Sequence, residues 1–317
     1  MLMRILFCIF RHMCQILGLM KTGIRLLILA FSVLALSACG GNKNVTIKEA
    51  GGIKAVVEIN SKGDLIVLKD RFEKAGIPNV SFKEDGNKLY TFELPGERNK
   101  ERVARLITSE GKLEFWTTVD VNEIPLFSHP DIASGEFTEL YSHLSCGEYF
   151  SSRACLGWAK DTDTAAVNRL MASPDIQGHL PAGLRTYWTL KPNFEGYFEL
   201  IGVDASHGKA PLNGRVITEA KVEKEPSPSI SINMNEKGSK IWENLTRDNI
   251  GKQIAMVLDG KVLSYPTVMS EITGGKSQIT GEFTLQEMTE IAVILESSKH
   301  PVHATIKDIK LVSPSKE

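Results

Sequence analysis

Only five cysteines and four tryptophans occur among the 317 residues, and the charges almost cancel to a formal net −1. That balance removes the global positive field by which a chain gathers phosphate, and no basic stripe compensates, so no nucleic-acid partner is expected. Beyond residue 39 there is no apolar run long enough to cross a bilayer. Catalytic signatures are also missing: no G-x-S-x-G elbow, no H-E-x-x-H and no C-x-x-C. Gly274-Gly-Lys-Ser277 ends like a phosphate-binding loop, but the first glycine of that pattern falls on Ser270, and the segment lies between strands. His300 and His303 flank Pro301, which keeps a helix from aligning their imidazoles. No enzyme activity, cofactor or metal is therefore expected. The 42% hydrophobic and 24% charged content excludes disorder over most of the length.

The N-terminus reads as an address. Met20-Lys-Thr-Gly-Ile-Arg25 is a short positive segment, and the 11-residue apolar run Leu26 to Leu36 is too short for a mature membrane span. Leu36-Ser-Ala-Cys39 follows, and it resembles the lipobox of bacterial lipoproteins. That resemblance implies that residues 1–38 are removed and that Cys39 becomes a lipidated N-terminus. A plain secretory signal and a membrane helix with an incidental cysteine are the alternatives. Met20 is the expected start, with Met1 and a long leader as the other reading, and residues 39–50 read as a tether. Cys8 and Cys14 fall in the leader. Cys146 and Cys155 remain, and an oxidising compartment makes them a disulfide pair, with two free thiols as the alternative.

The body alternates helical and strand patterns. A β-branched strand, Ile53 to Ile59, precedes a helix from Asp64 to Ala75 that Gly76 closes. Asn79 to Lys83 reads as a strand, Asp85-Gly86 as a turn and Lys88 to Leu94 as the next strand. A helix over Asn99 to Thr108 and a strand over Lys112 to Thr118 complete a β-α-β-β-α-β outline, the split βαβ pattern of ferredoxin-like folds. Asp163 is expected to cap a helix ending near Ala172. Further on, Tyr197 to Val203 and Ser229 to Met234 read as strands, and Asn235 caps a helix through Arg247. Two β-prone runs meet across Asp259-Gly260 as a hairpin, and Gln278 to Phe283 reads as a short strand. Thr284-Leu-Gln-Glu287 is a capping box opening a helix to about Ser297, and Ala304 to Val312 is a last strand. The class is α+β. Trp116, Trp158, Trp188 and Trp242 are expected in the core.

Three stretches resemble the first periplasmic domain of the SecD/SecDF protein-export subunit. The most specific runs through Asn249-Ile-Gly251, Ile254 to Ser264 with Asp259-Gly260, Gly274-Gly275 and Ile279-Thr-Gly281-Glu-Phe-Thr284. Leu94-Pro-Gly96 with Glu101-Arg-Val103 and Leu113-Glu-Phe-Trp116 form the second, and Gly208 to Gly214 with Ile217 to Ala220 the third. The resemblance implies a ferredoxin-like split βαβ base with an inserted smaller α+β head. It divides the chain into a first part of the base at 51–120, a linker at 121–196, a head-like part at 197–283 and a return to the base at 284–317. Asn249, Gly251, Asp259, Gly260, Gly274, Gly275 and Gly281 are expected to shape the hairpin region rather than to catalyse. The family's D-L-[KR]-G-G entry is here Glu49-Ala-Gly-Gly52, without the aspartate. The implied function is a membrane-anchored accessory of protein export facing the periplasm, held by its lipid in the inner or outer membrane. Unfolded exported polypeptide and Sec translocon subunits are its expected partners. A non-catalytic envelope scaffold is the alternative.

Overall fold

The computed structural model describes residues 45–128, 137–146, 152–193 and 195–315, so the leader and the expected lipid site at Cys39 lie outside the described residues. The chain first builds β1 (Gly52–Ile59), α1 (Lys62–Lys74), β2 (Ser81–Gly86), β3 (Leu89–Pro95) and α2 (Lys100–Thr108). Ser61 and Asn99 start the two helices by accepting the backbone N–H of Asp64 and Arg102. Alternation in β1 sends Ile53, Ala55, Val57 and Ile59 into the core and leaves Lys54 and Glu58 on the outer face. Phe92 of β3 meets Phe72 of α1 edge-on at 5.9 Å and Phe82 at 4.7 Å.

The fourth strand of this sheet is not the one that follows α2. β4 (Leu113–Thr117) joins a different sheet, and the place beside β1 is taken by the last strand, β14 (Ala304–Val312). The order β14-β1-β3-β2, antiparallel throughout, is the ferredoxin-like arrangement with its closing strand supplied from the far end of the chain. The compact outline ending at Thr118 is corrected accordingly. β4 alternates like a sheet strand, but its partners are the strands Ile254–Leu258 and Leu212–Asn213.

The elements between fall into three further sheets. β5 (Cys155–Ala159), α3 (Asp161–Met171), β6 (Leu184–Trp188) and β7 (Phe198–Asp204) come first, with the sheet order β5-β7-β6. Next are β8 (Leu212–Asn213), β9 (Ile217–Glu223), β10 (Ser229–Met234) and α4 (Glu236–Arg247). β11 (Ile254–Leu258), β12 (Lys261–Ser264) and β13 (Lys276–Ile279) precede α5 (Leu285–Glu296). They give sheets β12-β11-β4-β8 and β13-β10-β9. The whole is α+β, with one continuous core running from Ile53 and Phe92 through Leu106 and Ile294 to Ile232, Trp242 and Met256.

Several local expectations shift. The hairpin between β2 and β3 turns at Asn87-Lys88, both at positive φ (52° and 63°), and Asp85-Gly86 belongs to β2. Asp85 is held there by the Thr91 hydroxyl, which donates to its carboxylate. The helix expected to start at Asp163 starts at Asp161, and the Asp163 carboxylate instead meets His143 Nδ1 at 2.8 Å. Pro211 to Gly214 contains a short strand and enters a 3₁₀ turn. β13 begins at Lys276, inside the segment read as a loop, and stops at Ile279. Trp116, Trp188 and Trp242 are buried and Trp158 half-buried.

α5 occupies the centre. It is buried on most of its circumference, because the base lies on one side and β9 and β10 on the other. Its one buried charge, Glu290, is 2% exposed. The carboxylate accepts from Arg102 Nε at 3.0 Å and from Arg105 Nη2 at 2.8 Å, both on α2. Arg102 reaches on to Glu97 at 2.6 Å and to the Ala75 carbonyl, also 2.6 Å. Arg71, fully buried on α1, donates to the Leu106 and Ser109 carbonyls and to Ser297 Oγ just past α5. Burial pushes its pKa down to about 10 against the pull of Asp259 and Asp64.

Removing one member of a buried ion pair leaves the other uncompensated. Glu290→Ala is expected to cost about 3–5 kcal/mol in urea unfolding. Lys54→Met, which breaks the half-exposed 3.3 Å pair with Glu93, is expected to cost no more than about 1 kcal/mol. Equal midpoints for the two variants would contradict this account of α5.

Candidate functional site

A cavity of about 790 Å³ opens beside the β13-β10-β9 sheet. Its floor is apolar: Trp242 from α4, Ile254 and Met256 from β11, and Val268 and Ile272 from the loop after β12. One wall is polar, since alternation along β9 and β10 brings Glu219, Lys221, Glu223, Ser231 and Asn233 onto the cavity side. Lys276 and Gln278 continue it on β13, the edge strand of the sheet.

The other lip is the chain from Pro266 to Ser270. Backbone bonds lace it to the segment before β11: Gly251 N to Val268 O at 2.8 Å, Val268 N to Lys252 O at 2.9 Å and Ile254 N to Pro266 O at 3.2 Å. Ile272 N donates to Thr246 Oγ1 at 2.9 Å, which fixes the loop to the end of α4. Asn249 closes that helix by donating from Nδ2 to Leu245 O at 2.8 Å. Met269 projects from this lip with 84% of its surface exposed, and Ile250 is 53% exposed. Met269 and Ile250 thus present apolar surface to solvent beside the apolar trough.

The wall charges are largely committed to one another. Lys221 and Glu219 pair at 2.5 Å, and Asn233 Nδ2 donates to Glu219 at 2.7 Å. The Lys221 ammonium, by hydrogen bond and charge, holds the Glu219 carboxyl below its usual range, and Glu219 in turn raises Lys221. Below them the Trp242 ring packs on Phe115 at 5.2 Å, and its buried Nε1–H has no partner among the described residues. The site therefore offers apolar contact along its length, polar groups along one side and a sheet edge with main-chain groups to share. No His/Cys/Asp/Glu cluster able to hold a metal occurs among the described residues.

The expected motif residues divide. Asn249 and Gly251 build the lip, and Gly274 and Gly275 lead into β13. Gly274 and Gly275 hold φ of 76° and 65°, and a Cβ on Gly275 would overlap Ser239 Oγ. A Cβ on Gly281 would come 2.6 Å from the Phe283 ring. Asp259-Gly260 lies at the other end of the hairpin, both residues at positive φ as the turn requires. There the Asp259 carboxylate accepts the backbone N–H of Lys112 at 2.8 Å and of Gly111 at 3.3 Å. Burial raises its pKa even though those two bonds oppose the shift.

Cys146 and Cys155 stand apart from the groove as free thiols, donating to Leu144 O and Gly157 O. Burial pushes the Cys146 thiol up to about 12 and raises Cys155 further. Sequence reasoning did not identify Met269 or Ile250 and placed Trp242 only in the core.

Comparison with known proteins is consistent across this region. Residues 204–302, which include every residue lining the groove, match the family model described as SecDF, P1 head subdomain. The chain is 30% identical to protein translocase subunit SecD of Rhodothermus marinus, aligning over 78% of this chain and 46% of that protein. It is 26% identical to SecDF of Thermus thermophilus, over 84% of this chain and 31% of the relative. A crystal structure of SecDF in its super-membrane-facing form aligns over 90% of this chain and 35% of its own, with 23% identity and a TM-score of 0.49. The chain thus spans less than half the length of these relatives.

The two neighbouring glycines give a test of the groove's construction. Gly274→Ala meets only the backbone penalty of positive φ and is expected to cost about 1 kcal/mol. Gly275→Ala adds the overlap with Ser239 and is expected to cost at least about 1 kcal/mol more in the same denaturation experiment.

Proposed function

Because this chain carries a SecD/SecDF-type periplasmic domain, we propose that it serves protein export on the outer face of a membrane, its groove holding unfolded polypeptide in extended form. The observation that carries this reading is the groove itself. An apolar floor, a polar wall and an open sheet edge suit a ligand with alternating side chains and unpaired main-chain groups. Such a site reads shape and apolarity rather than a fixed sequence, as a carrier of many exported chains requires.

The remaining assignments belong to the same proposal. The chain docks with Sec translocon subunits, and the lipid on Cys39 holds it at the membrane facing the periplasm. Among the described residues no helix is long and apolar enough to cross a membrane. Two or more acyl chains, at ~0.8 kcal/mol per buried CH₂, suffice for firm anchoring. The domain acts by binding, without chemistry of its own.

Two measurements test this reading. An unfolded, dye-labelled secretory polypeptide is expected to bind the protein, as read by fluorescence anisotropy. Met269→Glu, at a fully solvated position, is expected to weaken binding about fivefold or more with an unchanged melting temperature. Undiminished binding by the variant, or none by the parent at high micromolar concentration, would remove the groove from the proposal and favour an envelope scaffold. Separately, Cys39→Ser is expected to abolish fatty-acid labelling and release the protein from membranes; retention of label would refute the anchor.

A further inference from the structure

A second cavity, of about 440 Å³, lies where the chain leaves the base and where it returns to it. Glu110 to Glu114 forms one side, Ser298 to His303 another, and Asn213 to Arg215 the third. It is separate from the groove and shares no lining residue with it. Gly214 brings the third side close: a Cβ there would come 2.9 Å from Leu113 Cβ and 3.1 Å from Ser298 Oγ.

The charges on its walls are mixed. Lys112 pairs with Glu114 at 3.0 Å, and His303 Nδ1 stands 3.8 Å from Glu110. The Arg215 side chain is exposed and makes no ion pair or hydrogen bond among the described residues; only its backbone N–H is used, by Asn213. Ser298 is 3% exposed, and its hydroxyl has no partner among the described residues.

Ligands of a single charge fit poorly. An anion would face the carboxylates of Glu110 and Glu114, and a cation would face Lys112 and Arg215. An apolar ligand would strip water from all four. We propose that this cavity binds a small zwitterion, a free amino acid or dipeptide. Arg215 receives its carboxylate, and Glu110 receives its ammonium. The volume falls in the range of small-molecule sites.

The test is calorimetric titration of the full chain in detergent with alanyl-alanine, and with acetate and ethylamine as single-charge comparisons. Saturable heat is expected for the dipeptide alone. Arg215→Gln and Glu110→Gln, both at exposed positions, should each weaken it about tenfold or more while leaving the melting temperature in place. Absence of saturable dipeptide heat in the parent would overturn the site. Acetate binding as tightly as the dipeptide, or dipeptide binding untouched by Arg215→Gln, would overturn the zwitterion assignment.

Discussion

Everything in this molecule hangs on the carboxylate of Glu290. The ferredoxin-like base is built from two stretches far apart in the chain, and α5 is the element that returns to it. An apolar helix face secures burial, but it does not by itself set which turn of the helix meets which neighbour. Glu290 does. Its oxygens accept from Arg102 and Arg105, three residues apart on α2, so a slip of α5 by one turn would strand a buried charge. Arg71 performs the same task at the other end, gathering the last carbonyls of α2 and Ser297 beyond α5.

The groove inherits that rigidity. One face of the β13-β10-β9 sheet packs on α5, and the opposite side carries the polar wall. The apolar floor comes from α4 and β11, which belong to the same continuous core. Wall and floor are therefore referenced to one central helix. The Met269 lip is itself tied by three backbone bonds to the strand entry beside it. Adaptability is left to side chains, above all the exposed methionine, rather than to the backbone.

Most elements were legible because their signals are local. Asn235 and Thr284 cap helices where expected, and Asp259-Gly260 makes the expected hairpin turn. Two expectations failed, the first because local pattern cannot rank non-local partners. Leu113 to Thr117 reads as a strand and is one, yet nothing in its alternation says that its partner is β11 rather than β1. At residues 85–88 the stronger dipeptide signal, Asp-Gly, lost to Asn-Lys, because the Thr91 hydroxyl holds Asp85 within the sheet. The groove was less legible than the fold. Trp242 has the same helical spacing whether it is core or floor, and Met269 sits in an aperiodic loop where no spacing singles it out.

The long excursion between α2 and β14 also has a thermodynamic side. Closing a loop costs free energy that grows only with the logarithm of its length, so inserting whole sheets between two base elements is tolerated far better than its length suggests. The requirement is that both crossing segments be held close together. Here Val302 N bonds to Glu110 O at 3.1 Å, and the Asp259 carboxylate binds the outgoing chain at Gly111 and Lys112. The crossing is thus pinned by polar contacts as well as by the apolar core, to which Leu113 of the outgoing chain and Val302 of the returning chain both belong. Base and insertion therefore share one apolar core from Leu106 to Met256, and the polar contacts set where the two crossing segments meet within it.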